Sequence, residues 1–504
     1  MALTPDQPVA VVGSGTMGAG IAQIAAAAGH PVLLHDAREG AAERAIQGIG
    51  AALEKRVAQG RMQAQARSEL LVRITPCPAL AELTPAALVV EAIVEDLAAK
   101  QGVFRELETL LGEGAILATN TSSISITAIG AALTRPERLV GMHFFNPVPV
   151  MALVEVVSGQ ATDPAVASTV FETAAAWGKT PVHAKSTPGF IVNRVARPFY
   201  AEALRVLNEG GADVATLDAV MREAGGFRMG PFELMDLIGH DVNASVTRSV
   251  FDAFHQDPRF MPSLIQEELV AAGFLGRKSG RGFYRYGEGA ERPSPGTAKP
   301  GQHPERVAVH GGIGPLEPLV RLMQEAGIDV QRQDGTGWIE IDGRTALKLT
   351  DGRTATERMA TEGGLPLVLV DLALDHGAAT RVALAKADQA GPEDRVRAAG
   401  LFQALGKAVS VLDDVPGLIV MRTVCMLANE GADAVNQGVC RAEAVDMAMR
   451  LAVNYPQGPL AWGQAIGLSR VVQVLTNLAQ GYGEDRYRVS PLLRRKVFAG
   501  GKLL

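Results

Sequence analysis

In the stretch VGMHFFNPVPVMALVEVVSG, residues 140–159, His143 and Glu155 are the only ionisable side chains among mostly apolar neighbours. An imidazole bonded through one ring nitrogen to a carboxylate is fixed in one tautomer, and its other nitrogen can take a proton from a reacting hydroxyl. The pair has the composition of a general base with its orienter. For the two to meet, His143 must end one strand, and Asn146-Pro147 must turn the chain so that Leu153 to Val157 runs back as the next. Taken alone, such a pair is more often a satisfied core histidine beside a chance surface acid, so its company decides the reading.

A second constellation opens the chain. The β-branched run Val9 to Val12 leads into Gly13-Ser14-Gly15-Thr16-Met17-Gly18 and then into the helical Ala19 to Ala28. In a strand–turn–helix of this kind the first glycine makes the tight turn, the second lets a pyrophosphate approach the backbone, and the third lets helix and strand pack closely. The helix N-terminus then faces the phosphates. A second strand, Pro31 to His35, ends in Asp36, 18 residues after Gly18, where a carboxylate accepts from ribose hydroxyls. Aspartate there favours NAD over NADP, while Arg38 keeps weak NADP use open.

These residues require an α/β scaffold. Leu88 to Ala92, Ile116 to Thr119 and Leu139 to Phe144 read as further strands and Leu97 to Leu111 as a helix, the alternation of a doubly wound sheet. Glu95, Lys100, Asn120, Ser122 and His143 fall at or just beyond strand C-termini, where such sheets gather ligands. Glu91 and Asp96 read as capping or solvated residues. A long helical stretch between Arg38 and Arg73 carries Lys55, Arg56 and Arg61, which can meet a phosphate or only water. His30, His35, His183 and His240 lack comparable company and read as structural or surface residues.

The chain of 504 residues is too long for one core, and its net charge of −6 without a basic block gives no footprint for nucleic acid. Cys77, Cys425 and Cys440 show neither metal-binding spacing nor an even disulfide set, which suits a reducing cytoplasm. No metal site is expected. MALTPDQ lacks a basic leader, and no apolar run reaches the roughly 18 residues of a membrane span, so no membrane partner is expected.

A shift of 228 residues superposes Gly178-Lys179 on Gly406-Lys407, PGFIVNR (188–194) on PGLIVMR (416–422), and Gly230-Pro231 on Gly458-Pro459 without a gap. The second copy has Met421 in place of Asn193, and a thioether cannot replace a hydrogen-bonding amide. Its opening unit, RVAVHGGIGPL (306–316), has no GxGxxG, and Leu367 to Leu372 and Val382 to Lys386 read as strands of a shortened relict. One dinucleotide per chain is expected. The expected domains are 1–186, dinucleotide-binding; 187–286, helical; 287–304, a linker rich in proline and glycine; 305–408, the degenerate Rossmann-like region; and 409–504, a second helical domain. The fold class is thus an α/β Rossmann domain followed by an all-α domain, then a degenerate second Rossmann-like region and a second all-α domain. The two helical copies are expected to pack together as an intrachain pseudo-dimer.

NTSSIS (120–125), GMHFFNPVPVMALVEVV (141–157), TPGFIVNRV (187–195) and MGPFELMD (229–236) closely resemble the L-3-hydroxyacyl-CoA dehydrogenase family, in its long bacterial form with a duplicated C-terminal domain. The resemblance implies NAD-dependent oxidation of an acyl-CoA substrate, with His143 as general base, Glu155 as its orienter, Ser122 at the substrate oxygen and Asn193 positioning substrate and histidine. It implies cofactor contacts from Gly13, Gly15, Thr16, Met17, Gly18, Asp36, Glu95, Lys100, Asn120, Ser122 and Lys278. The family's basic CoA contacts are less well kept: Ala52 and Gln59 stand where some members have serine and lysine, leaving Lys55, Arg56 or Arg61 for the CoA phosphates. In length, duplication and the segment GGFRMGPFELMDLIGHDVN (225–243) the chain resembles the members that oxidise 3-hydroxyadipyl-CoA in phenylacetate catabolism, and the resemblance implies a cation for the far carboxylate, Arg228, Arg194 or Arg197. The alternatives are 3-hydroxybutyryl-CoA oxidation in fatty acid or storage-polymer metabolism, and a non-catalytic NAD-binding structural or regulatory protein. The expected state is a monomer with its internal pseudo-dimer, or a homodimer.

Overall fold

A computed structural model describes residues 1–504. Its first sheet contains β1 (Val9–Val12), β2 (Val32–His35), β3 (Ile74–Cys77), β4 (Leu88–Glu91), β5 (Ile116–Thr119), β6 (Leu139–Phe144), β7 (Leu153–Ser158) and β8 (Thr180–Lys185). They lie in the order β3-β2-β1-β4-β5-β6-β7-β8, parallel except for β6 against β7. Strands β1, β4 and β5 are buried along their whole length, as continuous apolar runs covered on both faces should be. The strand order reverses between β1 and β4, so the crevice beyond their C-terminal ends is the topological switch point. The glycine turn and α1 (Thr16–Ala27) follow β1 there. The long helical stretch breaks into α2 (Ala41–Ala58) and a shorter helix, Ala64–Val72, and α3 (Leu97–Leu110) follows β4.

The second sheet contains β9 (Arg306–His310), β10 (Asp329–Gln333), β11 (Trp338–Ile341), β12 (Thr345–Leu349), β13 (Leu367–Val370), β14 (Arg381–Lys386) and β15 (Ala408–Val411), in the order β10-β9-β11-β12-β13-β14-β15. Strand β15 crosses the expected boundary at 408/409. The segment 287–304 is irregular but anchored: Gly296 N–H donates to Thr216 Oγ1 and Ala298 N–H to the Val409 carbonyl, each at 2.8 Å.

Internal contacts divide the chain into two units, 1–194 with 437–453, and 195–436 with 454–504. A segment of the second helical copy, including α7 (Ala442–Ala452), belongs to the first unit, where it packs on β7 and β8 and Lys185 N–H donates to the Val439 carbonyl at 2.8 Å. Helix α4 (Val192–Val195) spans the division. In the second unit, α5 (Arg197–Asn208) of the first helical copy packs against α6 (Val420–Asn436) of the second, and the buried Arg422 pairs with Glu202 across them at 3.0 Å. One helix of each copy thus lies against the other within this unit.

The duplication also holds at the level of strand register. Gly141 and Met142 of β6 face Val157 and Val156 of β7, and Leu369 and Val370 of β13 face Ala385 and Leu384 of β14, each pair displaced by 228 residues. The same displacement puts Asp371 at the position of His143 and Ala383 at that of Glu155. In the relict copy the Asp371 carboxylate itself accepts from the Ile419, Val420 and Met421 amides at 2.8–2.9 Å, closing the N-terminus of α6. We expect Asp371→Ala to leave these buried donors without an acceptor, at about 1–3 kcal/mol each. A denaturant melt should show a stability loss of at least about 3 kcal/mol.

Candidate active site

The glycine turn satisfies each steric demand of a dinucleotide site. Gly13 has φ +101°, and a Cβ there would lie 2.4 Å from the Ala92 carbonyl oxygen; a Cβ at Gly18 would lie 1.8 Å from the Gly13 oxygen. At Gly15 a Cβ would meet nothing within 4 Å, so the turn is open on the side a pyrophosphate must approach. Thr16 and Met17 begin α1, whose N-terminus has no side-chain cap, leaving amide donors for an anion.

Asp36, just past β2, accepts from Ser14 N (2.9 Å), Ser14 Oγ (2.7 Å), and Arg38 N and Nε (both 3.0 Å). Hydrogen bonding from Arg38, with help from Ser14, holds its carboxyl well below the usual range. It is therefore an anion, a group that can accept from hydroxyls and repels a phosphate. We expect Asp36→Ala to raise KM for NAD about 10- to 100-fold, the loss of a charged hydrogen bond, and to raise the NADP/NAD preference. Initial rates with both cofactors would measure it.

Two expectations beside this turn change. Glu91 is neither a cap nor solvated: it is fully buried and accepts from Lys100 Nζ, Ile93 N and Thr119 Oγ1, each at 2.7 Å. Lys100, 1% exposed, lies between Glu91 (2.7 Å) and Glu95 (3.3 Å), so its ammonium pairs with both acidic residues. Asp96 does cap α3, accepting from Ala99 N at 2.8 Å. Glu95 is partly exposed and accepts from Thr121 Oγ1 (2.7 Å), Ser122 N (2.9 Å) and Ser123 Oγ (2.9 Å). Burial pushes its carboxyl up, but these bonds and the Lys100 charge outweigh burial and hold it low. Glu95 thus fixes the loop carrying Ser122. Asn120 Oδ1 accepts from Phe144 N at 2.9 Å and ties that loop to the end of β6. Lys278 belongs to the second unit, where it pairs with Asp241 at 2.6 Å.

His143 and Glu155 stand directly opposite one another in the antiparallel β6–β7 pair. Nδ1 of His143 lies 2.6 Å from Glu155 Oε2, both side chains being buried. The other carboxylate oxygen accepts from the Ile191 and Val192 amides at 3.0 Å. Phe190, at φ +49°, turns the chain so that these amides point at Glu155. With the carboxylate anchored by the start of α4 and by the imidazole, Nε2 is the ring nitrogen that the pair leaves outside its own hydrogen bond. Phe145 and Phe190 flank the ring, with centroids at 4.5 and 5.7 Å. Asn193 is on α4, and its Nδ2 lies 3.4 Å from the Ser122 carbonyl, so the four expected residues meet in one place.

Nothing in the residue pattern pointed to the segment 437–453 beside this site. Gln437 accepts from Arg194 Nη1 at 2.9 Å. Burial, with the Glu155 charge adding, pushes the Cys440 thiol up to about 12. Gly15, Thr16, the small residues Ala45, Gly48 and Ala52, and the loop at Asn146 line a cavity of about 350 Å³. Lys55, Arg56 and Arg61 are exposed on α2 and just beyond it. His35, His30 and His240 are buried and bonded to Cys77 O, Gln7 O and Asp236, as structural histidines are, and His183 stacks on Phe171.

Known proteins resemble this chain. The family model described as 3-hydroxyacyl-CoA dehydrogenase, NAD binding domain, matches residues 8–187, and that of the family's C-terminal domain matches 189–286 and again 417–502. The chain belongs to the 3-hydroxyacyl-CoA dehydrogenase family. The model of a 3-hydroxybutyryl-CoA dehydrogenase reduced Rossmann-fold domain matches 347–416, within the relict region. A 3-hydroxyadipyl-CoA dehydrogenase of Escherichia coli K12 is 45% identical over 97% of this chain and 97% of its own. A 3-hydroxybutyryl-CoA dehydrogenase of Clostridioides difficile is 40% identical over 55% of this chain and 99% of its own. A crystal structure described as 3-hydroxybutyryl-CoA dehydrogenase from E. coli K12 superposes with a TM-score of 0.90 at 44% identity, covering 99% of both chains. As a member of this family the chain is an NAD-dependent oxidoreductase of the 3-hydroxyacyl-CoA dehydrogenase type. No helix is long and apolar enough to cross a membrane.

Proposed function

We propose that the protein oxidises L-3-hydroxyadipyl-CoA to the 3-oxoacyl-CoA, with His143, Glu155, Ser122 and Asn193 as its machinery. The observation that carries the chemistry is the buried His143–Glu155 pair at 2.6 Å, in register on adjacent strands and within reach of the Ser122 loop and Asn193. Nε2 of His143 removes the proton from the C3 hydroxyl, and the Glu155 carboxylate stabilises the imidazolium that results. The Ser122 hydroxyl and the Asn193 amide donate to the C3 oxygen as it becomes a carbonyl. NAD, held by the glycine turn and Asp36, supplies the hydride acceptor. The amides of Ile191 and Val192 keep Glu155 in place while the charge on His143 changes.

The adipyl chain is favoured by the 45% relative, which matches both halves of this chain. A soluble cytoplasmic enzyme of phenylacetate catabolism, working as a monomer through its internal pseudo-dimer, is the setting consistent with that reading. The description of the E. coli crystal structure favours a second substrate, 3-hydroxybutyryl-CoA. Specificity constants for the two substrates separate the readings, since discrimination is a ratio of transition-state binding. We expect the adipyl substrate to be preferred at least about tenfold; equal constants or a butyryl preference contradict the adipyl reading.

A further inference from the structure

We propose that the second unit holds a binding site for a small organic carboxylate, in a cavity that Arg486 lines without a hydrogen bond from its guanidinium. The cavity, of about 240 Å³, is walled by Tyr200, Leu204 and Arg205 of α5, by Phe260 and Met261, and by Arg486. Drug-sized sites run to about 300–1,000 Å³, so this one suits an acid of a few carbons. Arg486 is 6% exposed, and its Nε is buried with no partner. The carboxylates nearest to it stand at 4.0 Å, Glu202 from Nη1 and Glu484 from Nε, beyond hydrogen-bond reach.

Both of these carboxylates are committed to other arginines. Glu484 accepts from Arg205 through both oxygens, at 2.8 and 2.5 Å. Glu202 accepts from Arg422 Nε at 3.0 Å and from the Tyr487 hydroxyl at 2.9 Å, both through Oε2. Its Oε1 is likewise without a partner, but Glu202 is not part of the cavity wall. Glu209, the other acid on the wall, accepts from Arg205 Nε at 3.1 Å and from the Tyr482 hydroxyl at 2.7 Å. The backbone under Arg486 is pinned as well. Arg259 donates to the Arg486 carbonyl at 3.4 Å and to the Arg488 carbonyl at 2.7 Å, which holds the turn Asp485–Tyr487 in place.

A buried guanidinium with no hydrogen bond is costly, and such a group in a folded protein calls for a water, an ion or a ligand to complete it. A carboxylate matches its fork in two parallel hydrogen bonds. Burial pushes the Tyr200 hydroxyl up, so it stays protonated as a second donor on the wall. Leu204, Phe260 and Met261 add apolar surface for an alkyl stem, and Met261, 48% exposed, marks the side open to solvent. Water or an inorganic anion would answer the charge and leave that surface uncovered, whereas an organic acid answers both.

The test is a calorimetric titration of the full chain, saturated with NAD, with hexanoate, its uncharged counterpart hexanamide, and inorganic phosphate. We expect hexanoate to bind with a Kd of about 1 mM or tighter, and hexanamide and phosphate to bind at least about tenfold more weakly. Arg486→Met should weaken hexanoate about tenfold or more with kcat and KM within about twofold of wild type, and Arg486→Lys, which keeps the charge without the fork, should lie between. Weaker hexanoate binding to the wild-type chain, which leaves the cavity to water, overturns the proposal. So does phosphate binding as tight as that of hexanoate, or an unchanged hexanoate affinity in Arg486→Met, which places the acid elsewhere. If Arg486→Met fails to fold, Tyr200→Phe takes its place: a loss in hexanoate affinity of about threefold or more supports the site, and a smaller one overturns it.

Discussion

Replacing His143 by glutamine lowers kcat about 10²- to 10⁴-fold, the usual span of a lost general base, while NADH binding stays within about twofold of wild type. The two effects separate because the proposed cofactor contacts lie elsewhere in the fold: Asp36 and the glycine turn are at the ends of β1 and β2, whereas His143 lies in β6. Glutamine preserves a polar group near the substrate oxygen but has no nitrogen that can accept a proton. Turnover followed by nicotinamide absorbance, with a fluorescence titration of NADH on the same sample, reads both quantities. Undiminished turnover would remove His143 from the mechanism.

Glu155 has two jobs, and two substitutions pull them apart. Glutamine keeps a carbonyl oxygen for the Ile191 and Val192 amides but loses the anion that stabilises the imidazolium. We expect Glu155→Gln to melt near the wild-type temperature and to lose about 10²- to 10³-fold in kcat. Alanine removes the acceptor as well, leaving buried amides unsatisfied at about 1–3 kcal/mol each, so Glu155→Ala should lose both activity and stability. Equal stability in the two variants would show that the start of α4 does not depend on this carboxylate.

Much of the site was legible because its local signals agree with one another. The β-branched run, glycine turn and helix place Gly13, Gly15 and Gly18 correctly, and the turn at Asn146-Pro147 brings Glu155 opposite His143 as expected. The ungapped duplication also carried into three dimensions, down to strand register. It held a signal that the sequence reading passed over: the same shift puts Asp371 on His143 and Ala383 on Glu155, which marks the second dyad as lost independently of Met421.

The remainder depended on tertiary context. Strands β3 and β8 each contain a proline, Pro76 and Pro181, which weakens a strand signature, and both occupy sheet edges where a missing amide is tolerated. The β11–β12 hairpin lies in a stretch of the shortened relict to which the sequence reading assigned no strand. Glu91 and Lys100 were assigned one residue at a time, yet each is buried because the other neutralises it. The placement of 437–453 in the catalytic unit could not be read from the helical period, which names a buried face but not what covers it.

The most direct test mixes the purified full-length protein with NAD and either enantiomer of a 3-hydroxyacyl-CoA and follows absorbance as NADH forms. The account predicts NADH from the L enantiomer, one equivalent per C3 hydroxyl oxidised, and about 10²- to 10⁴-fold slower formation from the same substrate with His143→Gln protein. NADH formation from the D enantiomer alone, or none from any 3-hydroxyacyl-CoA under conditions where NADH binds, would contradict it.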